Sequence, residues 1–246
     1  MSVTRAAPLL LLPGLICDAQ IWPRSVFALG CPVLAPDGYD GAISLPEMAS
    51  LVLHQAPARF SLLGHSMGAR VALEIIRREP ERVDRLALVS TGVHMPRDGE
   101  AASRHALFDL GRREGAEALV DRWLPPMVAP SRRADHALLS PLTAMCVGMG
   151  VETFGRQITA LIERPEVESL LPGIACPTLV LVGSEDQWSP PEQHRLIAAS
   201  IPGAVLRIVE GSGHMLPAEA PEDFLAAVSG WLAMPATDIQ NAQITR

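Results

Sequence analysis

No lysine occurs in this 246-residue chain; all twenty of its Lys and Arg positions are arginine. Twenty separate demands for a guanidinium would be implausible, so the absence reads as a coding bias of a GC-rich genome. Basic charge is also outnumbered, with 20 Lys+Arg against 27 Asp+Glu and a net charge of -7. That leaves no basic surplus to neutralise phosphates and excludes a nucleic-acid partner. Aromatic residues make up only 4%, and no aromatic cage is evident. The four cysteines, Cys17, Cys31, Cys146 and Cys176, lie far apart and never form C-x-x-C, so neither a zinc site nor a redox pair is indicated. No apolar run reaches the ~18 residues that a membrane span requires.

The N-terminus has the outline of a secretory signal, with Arg5 ahead of an apolar run from Ala6 to Ile16 and then Cys17. Cleavage there would remove Pro8 to Leu12, which reads as a central strand. The segment is therefore assigned to the fold and the protein to the cytoplasm, its cysteines behaving as buried thiols.

What is present is a chain 48% hydrophobic with mean hydropathy +0.22, long enough for one large core. Strand-like runs fall near 7–12, 31–35, 58–63, 84–90, 177–183 and 204–209, with helical periodicity between them. Such alternation predicts a parallel sheet covered on both faces.

Chemistry concentrates at Gly64-His65-Ser66-Met67-Gly68, a G-x-S-x-G pattern that bends a strand sharply into a helix and exposes the serine Oγ. A Cβ at either flank of so tight a turn would clash, which is why glycine stands on both sides of Ser66. The context agrees: Arg59 to Leu63 is mostly apolar, and Val71, Ala72, Ile75 and Ile76 recur at helical spacing.

Two further strand ends carry titratable residues. The run Pro177 to Gly183 leads into Ser184-Glu185-Asp186, and the run Ala204 to Val209 leads into Gly211-Ser212-Gly213-His214. Taken singly, the aspartate reads as a turn or helix-cap residue and the histidine as a solvated side chain. Taken with Ser66, in the chain order Ser, Asp, His and each beyond a predicted strand, they form a candidate triad. Glu185 is the fallback acid.

On these motifs the chain resembles the α/β-hydrolase superfamily, over about residues 7 to 234. The resemblance implies a reduced, mainly parallel sheet of about six strands with helices on both faces and a helical cap. Its core would comprise 1–92 and 173–234, its cap insertion 93–172, and a polar, disordered tail 235–246. Only six residues precede Ala7, so the antiparallel hairpin that usually opens the family's sheet is expected to be missing. The resemblance also implies an oxyanion hole formed by the backbone N–H groups of Leu15 and Met67. Many relatives have His-Gly where this chain has Pro13-Gly14, so a side chain that helps order that loop is lacking.

In the 93–172 segment, helices are expected over Glu100 to Leu110, Gly115 to Trp123, Ser131 to Val147 and Phe154 to Arg164, broken by Pro125-Pro126, Pro130 and Pro165. Gly148-Met149-Gly150 reads as a helix C-cap, with a hinge as the alternative. Met127, Leu138, Leu142, Met145 and Met149 form a stripe that serves either as lid core or as pocket lining. Trp22, Met145 and Trp188 are candidate pocket residues. Arg156 is a candidate anchor for a substrate carboxylate, against the alternative of a surface arginine paired with Glu152 or Glu163.

The resemblance implies a serine hydrolase that cleaves a small carboxylic ester, lactone or thioester, a small-molecule acyl substrate, with no metal or organic cofactor. Two other classes share the motifs: a same-fold enzyme without hydrolysis, such as an elimination lyase, or a carbon–carbon bond hydrolase; and a ligand-binding member with little turnover, whose usual mark is a damaged triad.

Overall fold

A computed structural model describes residues 7–36 and 38–235. Among these described residues six strands form one sheet in the order β2-β1-β3-β4-β5-β6: β1 (Leu9–Leu12), β2 (Val33–Leu34), β3 (Phe60–His65), β4 (Val83–Val89), β5 (Thr178–Gly183) and β6 (Val205–Val209). Every neighbouring pair is parallel. Consecutive residues of β1, β3 and β5 are all buried, which requires cover on both faces of the sheet. The edge strand β2 has only two residues, one of them exposed, and so offers little for another chain to pair with.

Helices α1 (Leu45–Gln55) and α2 (Met67–Arg78) precede and follow β3 in the chain. Between β4 and β5 the chain runs through α3 (Glu100–Glu114), α4 (Ala116–Trp123), α5 (His136–Met149) and α6 (Val151–Ile162), and it closes with α7 (Pro191–Ser200), α8 (Leu216–Glu219) and α9 (Pro221–Leu232). The strand order reverses between β1 and β3. Loops leaving the carboxyl ends of these two strands diverge there and open the crevice in which doubly wound sheets bind ligands.

Several boundaries move for local reasons. Strand β3 extends to His65, because Gly64 and His65 still pair with Leu88 and Val89; the serine therefore sits directly at the strand end. Helix α5 starts at His136, not at Ser131, since the Asp135 side chain accepts the Leu138 N–H and caps it, and Pro130 to Arg132 form a separate short 3-10 turn. Pro141 lies inside α5 and does not end it. Helix α6 begins at Val151, ahead of the expected Phe154. Gly150 is the C-cap of α5 and the N-cap of α6, at φ 80°, and the two helices meet there at 85°. Among the described residues no single helix is long and apolar enough to cross a membrane. The expectation for the tail lies, from residue 236 onward, outside the described residues.

Candidate active site

Ser66 follows β3 immediately and caps the N-terminus of α2 with φ 54° and ψ -115°. A non-glycine residue holds positive φ only where its surroundings enforce it. Here they do: a Cβ on Gly64 would overlap the backbone of Gly68 and Ala69, and one on Gly68 would overlap the carbonyl of Leu12 in β1. The two glycines let strand, turn and oxyanion loop approach more closely than any side chain allows. Ser66 N–H donates to Val89 at 2.8 Å, and Thr91 Oγ1 donates to the Ser66 carbonyl at 3.0 Å.

His214 arrives from the loop after β6. Its Nδ1–H donates to Asp186 Oδ2 at 2.9 Å, which leaves Nε2 to accept the Ser66 hydroxyl at 2.8 Å. The loop is clamped from both sides. His214 N–H donates to the Met127 carbonyl at 2.7 Å, and Glu219 Oε2 accepts the N–H groups of Ala129 at 2.8 Å and Gly213 at 3.0 Å.

Asp186 is buried beyond the end of β5, with Oδ1 accepting the N–H groups of Trp188 at 2.9 Å and Ser189 at 2.8 Å. Burial alone would raise its pKa, but the adjacent His214 and the Ser189 N–H outweigh it and hold the carboxyl below its ordinary value. The fallback acid, Glu185, has no bond to His214 among the described residues; its backbone N–H donates to the Ser212 carbonyl.

Leu15 and Met67 both line the cavity of about 450 Å³ that contains Ser66 and His214. Met67 is the first residue of α2, so its N–H has no acceptor within the helix. The loop that carries Leu15 lacks the family's histidine and is held by other means. Tyr39 Oη donates to the Pro13 carbonyl at 2.9 Å, and Ile16 N–H donates to the buried Gln157 Oε1 of α6 at 2.7 Å. Neither partner is near this loop in sequence, and no local motif announces them.

The substrate-pocket candidates divide. Trp188 lines the cavity and is 40% exposed at its rim. Trp22 and Met145 instead face a separate cavity of about 750 Å³. Trp22 is drawn there by stacking on Phe224, with ring centroids 6.0 Å apart, and Met145 by sharing the α5 face of Leu138 and Leu142. Arg156 does not line the Ser66 cavity, and its guanidinium donates to Thr153 Oγ1 at 3.2 Å on its own helix. Among the described residues it forms no ion pair with Glu152 or Glu163. Of the Met and Leu stripe, Met127 alone faces Ser66.

Several lining residues were not anticipated from the sequence. Arg70, His94, Glu100, Arg104 and Arg164 line the same cavity as Ser66 and His214 and make part of its lining polar. One signal was available: Arg70 stands four residues after Ser66 on a helix, a spacing that returns to the same face.

A sheet that delivers a strained serine from the end of β3, a buried carboxylate from the end of β5 and a histidine from the end of β6 defines a hydrolytic enzyme of the nucleophile-elbow class. The family model described as "Alpha/beta hydrolase family" matches residues 9–228, and the chain belongs to that family. A pimeloyl-[acyl-carrier protein] methyl ester esterase of Pectobacterium carotovorum is 32% identical over 198 residues, covering 74% of this chain and 77% of that protein. An sn-1-specific diacylglycerol lipase of Xenopus laevis is 27% identical over 92% of this chain and 79% of its own length. Among solved structures, a thermophilic esterase from Thermogutta terrifontis, with malate bound, superimposes with TM-score 0.84 at 28% identity, over 93% of this chain and 90% of that one.

Proposed function

We propose that the protein is a serine hydrolase that cleaves a small carboxylic ester, lactone or thioester through an acyl-enzyme formed on Ser66. The observation that carries the reading is the unbroken relay of 2.8 Å from Ser66 Oγ to His214 Nε2 and 2.9 Å from His214 Nδ1 to Asp186. In this reading Ser66 Oγ attacks the acyl carbonyl as its proton passes to Nε2, and Asp186 stabilises the imidazolium and fixes its tautomer. Negative charge then develops on the carbonyl oxygen. The N–H groups of Leu15 and Met67 receive it, a contribution of ~3 to 4 kcal/mol per donor in comparable sites. Collapse expels the alcohol or thiol, which takes the proton from His214. Water, activated by the same histidine, releases the acid and restores Ser66.

Residues 93–172 serve as a cap in this account: Trp123, Met127, Leu161 and Arg164 of that segment meet the cavity above Ser66. The esterase and lipase names among the relatives favour ester hydrolysis over elimination or carbon–carbon cleavage. The test is a panel of 4-nitrophenyl esters of graded acyl length. Turnover by the wild type, lost by several orders of magnitude in Ser66→Ala, supports the reading; ester turnover that survives in Ser66→Ala overturns it.

A further inference from the structure

The lining of the Ser66 cavity carries four arginines, Arg70, Arg97, Arg104 and Arg164, against the two carboxylates of Asp98 and Glu100. Three arginines surround Glu100. Arg164, with its side chain only 2% exposed, is fully committed: it donates to Glu100 Oε1 at 2.6 Å and Oε2 at 2.7 Å, and to the carbonyls of Leu161 and His94 at 2.6 and 3.1 Å. Arg104 donates from Nε to Glu100 Oε1 at 3.0 Å and forms an ion pair with the same oxygen. These bonds pull Glu100 to about pKa 2 against the opposing effect of its burial, so it is ionised throughout the working range.

Among the described residues Arg70 has no carboxylate bonded to it. It is 5% exposed, and its one bond runs to the neutral carbonyl of His94 at 2.8 Å, while the other terminal nitrogen is buried with no partner. Burial, then the like charge of Arg164, lower its pKa to about 9, which still leaves it charged at neutral pH. It also sits in the first turn of α2, where the helix dipole disfavours a cation. Burial without a bonded carboxylate, repulsion by neighbouring arginines and the wrong end of a dipole all oppose a cation at this position, and the charge of Glu100 offsets them only in part. One small anion in the cavity relieves all three.

We propose that the Ser66 cavity binds the carboxylate of an acidic substrate, held by Arg70 and the uncommitted terminal nitrogen of Arg104. The inference deepens the hydrolase reading and rests on it: the substrate is an ester, lactone or thioester that bears a separate carboxylate on the side facing α2 and α3. Both guanidinium groups line the cavity, and an ionised carboxylate is the acceptor with which arginine forms its strongest hydrogen bonds. Arg164 acts as a positioning residue that keeps Glu100 and His94 in place. A chain of net charge -7 thereby focuses a local positive field at its reaction centre, which favours capture of anions.

One arm of the test does not depend on catalysis. Thermal unfolding of the full chain is followed with succinate and, at matched ionic strength, with succinamide or inorganic phosphate. A rise in Tm with succinate alone, lost in Arg70→Met and Arg104→Met, supports the site. No rise with succinate, a rise that persists in both variants, or a rise with phosphate in its place overturns it. The second arm compares kcat/KM for 4-nitrophenyl hemisuccinate and 4-nitrophenyl butyrate. The ratio of acidic to neutral ester falls about ten- to a hundredfold in each variant, the range for losing a bond to a charged group; an unmoved ratio in both overturns the proposal. If Arg70→Met does not fold, Arg104→Met decides, because its side chain is only partly buried. If the wild type cleaves neither ester, the hydrolase reading fails, and the succinate arm still decides the anion site.

Discussion

His65 donates its Nε2–H to the main-chain carbonyl of His214 at 2.8 Å, so the residue before the strained serine holds the backbone of the histidine that its neighbour touches. The two lie 149 positions apart in the chain. Elbow and histidine loop are thus bound together below the reacting atoms as well as through them.

Replacing His65 by Phe keeps a ring of similar size and removes the donor. The buried carbonyl is left unsatisfied, and stability falls by about 1–3 kcal/mol, read from urea unfolding. The His214 ring loses its support, so kcat for a 4-nitrophenyl ester drops while KM moves little. Unchanged stability and unchanged kcat together would show that the bond does not position His214.

Gln157 makes the second long-range prediction. Its Oε1 is the acceptor for the Ile16 N–H, 141 positions away, next to the Leu15 N–H assigned to the oxyanion hole. Gln157→Leu orphans that buried donor and frees the loop. Stability is expected to fall by about 1–3 kcal/mol, and kcat by about tenfold or more as one oxyanion donor loses its aim. A variant with wild-type kcat would separate Gln157 from the hole.

Acid stability follows from two buried histidines. His194 accepts the Thr91 N–H on Nε2 at 2.9 Å and donates from Nδ1 to the Pro190 carbonyl at 3.2 Å, so protonation would cost it the Thr91 bond. Burial lowers its pKa to about 4, and burial together with the nearby His214 lowers that of His65 to about 3. The unfolded chain takes up both protons below about pH 6.5 and the folded chain does not. Stability is therefore full above that pH and declines as pH falls from 6.5 toward 4, at up to about 1.4 kcal/mol per pH unit for each histidine. Urea unfolding across this window measures the slope. His194→Asn removes one titrating group and makes the slope shallower; an unaltered slope would mean that His194 is not held neutral.

The sheet and the positions of Ser66, Asp186 and His214 were legible because each is written in local pattern: an apolar run, then a turn, then one reactive side chain. Strand β3 reached two residues beyond its expected end for the same reason that makes the motif work, since parallel pairing continues until the backbone must bend at Ser66. The lining of the cavity was not legible in this way. Arg156 and Leu161 lie on one helix, five residues and about 140° apart around its axis. Leu161 meets the cavity, so Arg156 points elsewhere. Trp22 and Met145 were sensible apolar candidates, yet which of two cavities a buried side chain faces depends on tertiary packing that no periodicity encodes. Arg70 was hidden by the arginine bias itself: where every basic residue is arginine, composition cannot single out the one left buried beside Ser66 without a carboxylate.

The central claim is that Ser66 is the nucleophile, and covalent labelling tests it most directly. The intact chain is treated with a fluorophosphonate, digested after arginine and examined by mass spectrometry. A nucleophilic Ser66 gives a single adduct on the peptide 60–70, located at Ser66, concurrent loss of ester turnover, and no labelling of Ser66→Ala, whose Tm is unchanged or raised because a strained functional residue is relieved of its task. An active enzyme that takes no label, carries its adduct on another residue, or keeps turning over ester with Ser66 blocked would contradict it.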